Sequence, residues 1–359
     1  MVAMRAIVLF VSSLLVVGAL RFHDVIPNGE SHFNGIPVEK YVTSMNRLME
    51  ITHKLMDIDT MTIFCSECLG GLDLIRQGIA MWTEATCLTF KHSDDRSYGH
   101  LNFFGGIGCH SPHGKQPRFN NISIGVGCQN RAVVAHEIGH TLGLFHTQKR
   151  PDAGTYLQIL WDNIRNTSKH NFFMSQGEKA HFKPTTRGIL YDFGSLMHYG
   201  KTDFSIGSGL ATLLPRDQNY NQTLGQRSVI AFTDAKEINS MYCRTTCPTK
   251  LRCLNGGYTD PKDCSKCRCP DGLGGKLCAK LAKSPAVCGR VNLKARKKFQ
   301  NLTMDGESRC TYKIRAPFGK KVTVFLDSLK FDSGFSQRAC GSNYIEIKYK
   351  SSLETAGAR

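Results

Sequence analysis

Three histidines and a glutamate fall within residues 136–146, in the stretch HEIGHTLGLFHTQKR that occupies 136–150. His136 and His140 are four apart, so on a helix they lie about 40° apart in projection and about 6 Å along the axis, close enough to share one ion. Glu137 sits on the flank of the same face. Zinc takes three such nitrogens at about 2.0–2.1 Å and keeps a further position for water, whose pKa it lowers to about 7. A carboxylate beside that water can take its proton and later pass it to a leaving amine. The third histidine, His146, would point away from the first two on an unbroken helix. Gly143 is placed to adopt a positive φ, end the helix and bring His146 back to the metal. The chemistry implied is hydrolysis of a peptide bond at one Zn2+ held by His136, His140 and His146, with Glu137 as the base.

About fifty residues later, Ser195-Leu196-Met197-His198-Tyr199 reads as a tight turn between apolar residues. Met197 can form an apolar floor beneath the metal. Tyr199 can bring a phenol close to it, to ligate the resting zinc and then donate to the oxyanion of the reacting carbonyl; its alternative role is a packed tyrosine. The short pattern H-E-x-x-H arises by chance, whereas H-E-x-x-H-x-x-G-x-x-H with a later Met-turn is far more specific.

Several elements must position these groups. A short strand at 61–64 (MTIF) precedes Cys65 and Cys68, and GLDLIRQGIAMWTEATC places Leu72, Ile75, Ile79 and Trp82 at the spacing of a helix lying on a sheet. Short β-like pieces follow (LTF, LNFF, ISIGV). FTDAKEINSMYC, 232–243, reads as a helix with Thr233 or Asp234 as its N-cap. From Cys288 onward CTYKIRAP, KKVTVFLDSLKF and YIEIKYK alternate as the strands of a β-sandwich.

At 359 residues the chain exceeds one ordinary domain. Six of its 15 cysteines lie between Cys247 and Cys278, the density of a small crosslinked extracellular module. Arg5 followed by an apolar run at 6–20 and the small residues Val17-Gly18-Ala19 reads as a signal peptide over 1–20, with an uncleaved anchor as the alternative. The run is short for a membrane span and no later segment is apolar enough to cross a bilayer, so a secreted, extracellular product is expected. Residues 21–56 are polar, carry one helix-like stretch at 42–56, and read as a pro-segment or N-terminal extension. Acceptor sequons stand at Asn121, Asn166, Asn221 and Asn301. A formal charge of +17 would ordinarily raise nucleic acid as a partner. With a leader it points instead to acidic polysaccharide or an acidic surface, and no nucleic acid is expected. Basic residues are scattered along the sequence; KARKKF, 294–299, is the local cluster, for which a solvated loop is the plainer reading.

Together these residues resemble the metzincin zinc peptidases and, within them, the astacin family. Thr147 after the third histidine locally looks like a matrix metalloproteinase, since astacins usually carry a glutamate there, associated with anchoring the mature N-terminus. Arg150 and Asp152 match the astacin R-x-D, Tyr199 matches its Met-turn tyrosine, and Cys87, Cys109, Cys128 and Cys243 match its cysteine frame. The resemblance implies an α+β metzincin-type catalytic domain over 57–243, with a twisted sheet, an active-site helix and a Met-turn, and the disulfides Cys87–Cys243 and Cys109–Cys128. It departs from the family at Gly154, at His110, and before Met61, where a tryptophan-containing strand would be expected. Phe33-Asn34-Gly35-Ile36 has isoleucine where astacin precursors carry the silencing aspartate of F-x-G-D. Cys65 and Cys68 read as a local disulfide, with redox or metal chemistry as the alternative.

The cysteines from Cys247 to Cys278 resemble an EGF-like domain (247–279), which implies Cys247–Cys264, Cys253–Cys267 and Cys269–Cys278; spacing alone leaves the pairing open. From Cys288 the chain resembles a CUB domain (288–359) with Cys288–Cys310, C-terminally incomplete, so that Cys340 lacks its partner; a dimer-forming Cys340 is the alternative. This layout is that of many nematode astacins. The resemblance implies a zymogen acting on extracellular proteins, with matrix or cuticle collagens as candidates in moulting or hatching, and EGF/CUB-mediated protein contacts. The competing reading is a catalytically inert matrix-binding scaffold.

Overall fold

The computed structural model describes residues 71–92, 100–174, 188–304, 306–330 and 343–359, together with the strand segments 6–12, 32–33, 36–37 and 61–66. The amino-terminal stretch supplies β1 (Ala6–Ser12) and a hairpin of β2 (His32–Phe33) and β3 (Ile36–Pro37). Phe33 and Ile36, the ends of the Phe33-Asn34-Gly35-Ile36 motif, are paired in it. The helix expected at 42–56, the Cys65–Cys68 pairing and Cys340 lie outside the described residues.

Next come β4 (Met61–Ser66), α1 (Gly71–Ala85), β5 (Phe90–His92), β6 (His100–Phe104), β7 (Cys109–His110), β8 (Phe119–Ile124) and α2 (Arg131–Thr141). The strands form one sheet in the order β5-β4-β6-β8-β7, parallel except at β7, which runs antiparallel to β8. A parallel sheet needs cover, and α1 and α2 provide it. Ile75, Ile79 and Trp82 of α1 bury against Leu101, Phe103, Ile122 and Ile124 of the sheet and Val134 and Ile138 of α2. Leu72, expected on this face, is 42 % exposed: the first turn of α1, Gly71 to Asp73, projects past the packed surface. The two helices come close at Gly78, where an added Cβ would lie 2.6 Å from Val134 Cγ1. Trp82 Nε1 donates to Ala135 O at 2.8 Å, so the largest buried side chain has its polar atom satisfied.

A second, aromatic core gathers Phe172, Tyr191, Phe193, Tyr199, Leu213 and Tyr220. It is built from α3 (Ala153–Tyr156), β9 (Leu157–Ile159), β10 (Leu213–Pro215) and the loops between them. Helix α4 (Phe232–Tyr242) begins earlier than its sequence suggests: Ala231 is the N-cap, and Asp234 sits three residues in, accepting from Ala231 N at 3.1 Å. Neither Thr233 nor Asp234 is the N-cap residue: Thr233 donates to Asp192, while Asp234 caps from the third position, its carboxylate serving both Ala231 N and the 191–196 turn.

Disulfides join Cys87 to Cys243 and Cys109 to Cys128 in this part of the chain, and Cys247 to Cys264, Cys253 to Cys267 and Cys269 to Cys278 in the next. That cysteine-rich segment contains two small hairpins, β11 (Tyr258–Asp260) with β12 (Asp263–Arg268) and β13 (Leu273–Gly274) with β14 (Lys280–Leu281). It abuts the end of α1: Lys262 Nζ and Arg268 Nη1 donate to the carbonyls of Thr83 and Glu84, which a helix C-terminus leaves unpaired.

Beyond Cys288, which is bonded to Cys310, β15 (Asn292–Lys294), β16 (Cys310–Arg315) and β17 (Tyr344–Lys348) join β1 in a four-stranded sheet of order β15-β16-β1-β17. The segment read as a leader thus fills the gap between β16 and β17. KKVTVFLDSLKF, expected as a strand, is irregular over the described residues 320–330, with Phe325 and Leu326 at 76 % and 58 % exposure. Its alternation finds no opposing layer there, and an unpaired strand has no ladder to hold it.

The last residues return to the first part of the molecule. Ala356 N donates to Asp192 Oδ1 at 3.1 Å, Thr223 Oγ1 donates to Gly357 O, and Lys236 bridges Glu354 at 2.7 Å. Glu346 and Arg359 form a buried ion pair at 2.8 Å behind them. No helix among the described residues is long and apolar enough to cross a membrane.

Candidate metal centre

Helix α2 starts at an Asn130 cap, whose side chain accepts from Ala132 N at 2.7 Å. It carries His136, Glu137 and His140 into the interior, all three buried. It ends where Gly143 takes φ +97°, a conformation costly for any residue with a Cβ. The turn sends His146 back. Its Nε2 lies 3.2 Å from His136 Nε2 and 3.1 Å from His140 Nε2. Tetrahedral ligation at the usual zinc–nitrogen bond length would separate two ligand nitrogens by about 3.3 Å. The two separations from His146 therefore already match the spacing one zinc ion requires, all three donor atoms lie within 4.8 Å of one another, and they are the only such group found among the described residues.

The far side of each ring fixes its chemistry. His136 Nδ1 is 2.8 Å from Leu196 O, and His140 Nδ1 is 2.8 Å from Leu144 O. A carbonyl can only accept, so each Nδ1 carries the proton and each Nε2 keeps its lone pair for a metal. Burial holds all three imidazoles well below their ordinary pKa, and their mutual proximity adds to it, so they are neutral and able to ligate.

Glu137 is 4 % exposed. Burial pushes its carboxyl up to about 7, and the Ser111 hydroxyl, 2.9 Å from Oε2, holds it back. Ser111 comes from the edge beside β7, and nothing in the sequence pattern singled it out. His113, two residues on, was likewise missed. It stacks on Phe145 at 4.6 Å between centroids and meets His140 edge-on at 4.5 Å. Burial lowers its pKa to about 3, so it buttresses His140 as a neutral ring.

The 191–199 turn lies beneath. Met197 is buried, with its sulfur against the helix at Gly139, between the two ligand histidines. The ring of Tyr199 lies 4.3 Å from that of His146 and is held by Phe172 and Phe204. His198 turns away, between Tyr191 OH and the Tyr199 carbonyl, and is no ligand. Asp234 anchors the turn from α4: it accepts from Ser195 Oγ at 2.6 Å and Leu196 N at 2.7 Å. Thr147 joins the same network, donating to Ser195 Oγ at 2.8 Å, so its hydroxyl is used inside the domain. Arg150 makes a two-pronged pair with Asp152 and donates to the carbonyls of Ile189 and Leu190, tying the segment after His146 to the turn.

The contact at Gly139 can be tested. A Cβ there would lie 2.9 Å from Met197 Sδ and 3.2 Å from Trp82 Cζ2. Gly→Ala in a helix gains about 1 kcal/mol from propensity, whereas overfilling a packed site costs about 1–3 kcal/mol. Trp82 is fixed by its bond to Ala135, so the steric cost wins. Gly139→Ala is expected to lower the melting temperature and weaken zinc binding; a variant more stable than the parent in thermal denaturation would show that the floor is not tight.

Of the sequons, Asn121, Asn166 and Asn301 are exposed, while Asn221 is half-buried with its amide nitrogen donating to Gln218.

Residues 71–243 match the peptidase family described as Astacin. Over 80 % of its length the chain is 37 % identical to zinc metalloproteinase nas-30 of Caenorhabditis elegans, covering 38 % of that protein. It is 36 % identical to zinc metalloproteinase nas-26 of the same organism, across 80 % of this chain and 69 % of that one. The chain thus spans less than half the length of the first of these relatives. Among solved structures, high choriolytic enzyme 1, a hatching enzyme zinc-protease from Oryzias latipes, superposes with a TM-score of 0.46 at 28 % identity, covering 51 % of this chain and 88 % of that one.

Proposed function

Since the chain belongs to the astacin family of zinc metalloproteinases, we propose that it is a zinc-dependent endopeptidase acting on extracellular proteins, with matrix or cuticle collagens as candidate substrates. The observation that carries this reading is the convergence of three Nε2 atoms from His136, His140 and His146, each neutral, beside a buried carboxylate.

A zinc ion bound there supplies Lewis acidity, which lowers the pKa of water and polarises a scissile carbonyl. Glu137 accepts the proton of the attacking water and returns it to the leaving nitrogen as the carbon–nitrogen bond breaks. A carboxyl pushed up to about 7 suits both steps, because it can release as well as take a proton near neutral pH. Ser111 holds that carboxylate in place. Tyr199 donates its phenolic hydrogen to the carbonyl oxygen as negative charge develops on it. Met197, packed under the histidine pair, keeps water from the underside of the ligands.

In the same proposal residues 1–20 are a leader directing secretion and 21–56 a pro-segment. Residues 247–279 are an EGF-like module and 288–359 part of a CUB module, both serving protein contacts. The inert-scaffold reading loses support because neither the histidines nor Glu137 is replaced. The test is a cleavage profile of the activated protein on a peptide library, with and without a zinc chelator. Cleavage that stops with the chelator and returns with zinc is expected; none from protein with a confirmed mature N-terminus would overturn the proposal.

A further inference from the structure

The basic residues, scattered as they are along the sequence, leave a net positive charge that is distributed unevenly by module. Residues 71–243 carry seventeen Lys and Arg against thirteen Asp and Glu. Residues 272–330, a third of that length, carry fourteen against three, an excess of eleven out of the chain's seventeen. Acidic residues are nearly absent where the basic ones gather, which is not the mixed pattern of an ordinary solvated surface.

The C-terminal sheet arranges part of this excess in a row. Side chains alternate between the faces of a strand. On β16, Cys310, Tyr312 and Ile314 turn to the small core that includes Cys288, while Thr311, Lys313 and Arg315 take the opposite face. Lys294 on β15 stands directly opposite Arg315 in the parallel register. Directly paired strand residues are about 5 Å apart, and like charges so placed repel. Arg315, after burial, contributes to lowering the pKa of Lys313. From Lys294 the row continues into Arg296, Lys297 and Lys298, all exposed. Among the described residues no carboxylate pairs with Lys294, Arg296, Lys297, Lys298 or Arg315. By contrast Lys350, Arg309 and Arg359 elsewhere in this module do have acidic partners.

We propose that this face, Lys294, Lys313 and Arg315 with the adjoining Arg296-Lys297-Lys298 loop, binds a sulfated polysaccharide. A linear polymer with an anion on nearly every ring matches a row of uncompensated cations and relieves the repulsion between Lys294 and Arg315. A nucleic-acid duplex would call for a helix or two-stranded ribbon entering a groove, whereas these cations lie on a sheet face and an irregular loop. The site would hold the protein in an anionic matrix. It lies outside the metal centre, so it stands or falls independently of the peptidase proposal.

The probe is immobilised heparin, with the full chain. The parent is expected to be retained at about 0.15 M salt, and log affinity should fall linearly with log salt. Replacing Lys294, Arg296, Lys297 and Lys298 together by Gln should reduce that slope by about one for each cation removed, with unchanged melting temperature and peptide cleavage. A matched variant of four exposed cations from residues 71–243, Lys91, Lys115, Arg118 and Arg131 all to Gln, should retain most of the binding. Failure of the parent to bind, equal loss in both variants, or stronger retention by phosphatidylserine vesicles or duplex DNA than by heparin would each overturn the proposal.

Discussion

Glu137→Gln is expected to bind zinc as the parent does and to cleave peptides roughly 10²–10⁴-fold more slowly, the usual contribution of a positioned acid–base group. The substitution keeps the shape of the side chain, and its amide oxygen can still accept from Ser111. The three ring nitrogens are untouched, so the metal stays. What goes is the ability to accept a proton and return it. Metal analysis of the purified variant beside its cleavage rate reads both halves of the expectation. Full activity would remove Glu137 from the reaction, and loss of zinc with activity would reassign it to holding the site together.

His146→Ala should do the opposite. It removes the nitrogen that lies within 3.2 Å of both others, leaving two ligands on α2. Losing a group that merely supports a ligand costs about 10- to 100-fold in zinc affinity, so loss of the ligand itself is expected to exceed that. Zinc content should fall far below one per chain and cleavage should vanish, without recovery at stoichiometric zinc. Folding should survive, because both cores and the Cys87–Cys243 and Cys109–Cys128 bonds are independent of this side chain. Near-normal zinc content would mean that a different third ligand operates.

These two predictions rest on groups that the sequence itself displays, and there is a physical reason why it could. Metal ligation demands fixed residue types at helical spacing, and the exit of His146 demands a residue tolerant of positive φ; His136, Glu137, His140, Gly143 and His146 meet those demands within one short stretch. Supporting groups obey no such local rule. Ser111 reaches Glu137 across 26 residues and Asp234 reaches Ser195 across 39, so only the tertiary fold brings them together. Asp234 was legible as a capping group but not at its position, and its second use, at Ser195 and Leu196, left no local mark. Hydrophobic alternation misled at 320–330, since it reports a face that wants burial and not whether a second layer is present to bury it. Thr147 was ambiguous as a family marker; in the structure its hydroxyl is committed to Ser195.

The return of the C-terminal segment to the 191–196 turn also has a consequence in time. Asp192 and Ala356 are 164 residues apart. At synthesis rates of about 5–20 residues per second, a nascent chain would wait roughly 8–33 s after making Asp192 before the backbone of Ala356 could reach it. Once Thr233, 41 residues on, has been made, the buried carboxylate of Asp192 has Gly194 and Thr233 as donors but not yet its third. The support beneath the metal centre is therefore completed only after the 343–359 segment has been made, a delay measurable as protease resistance acquired only by arrested chains long enough to expose Ala356.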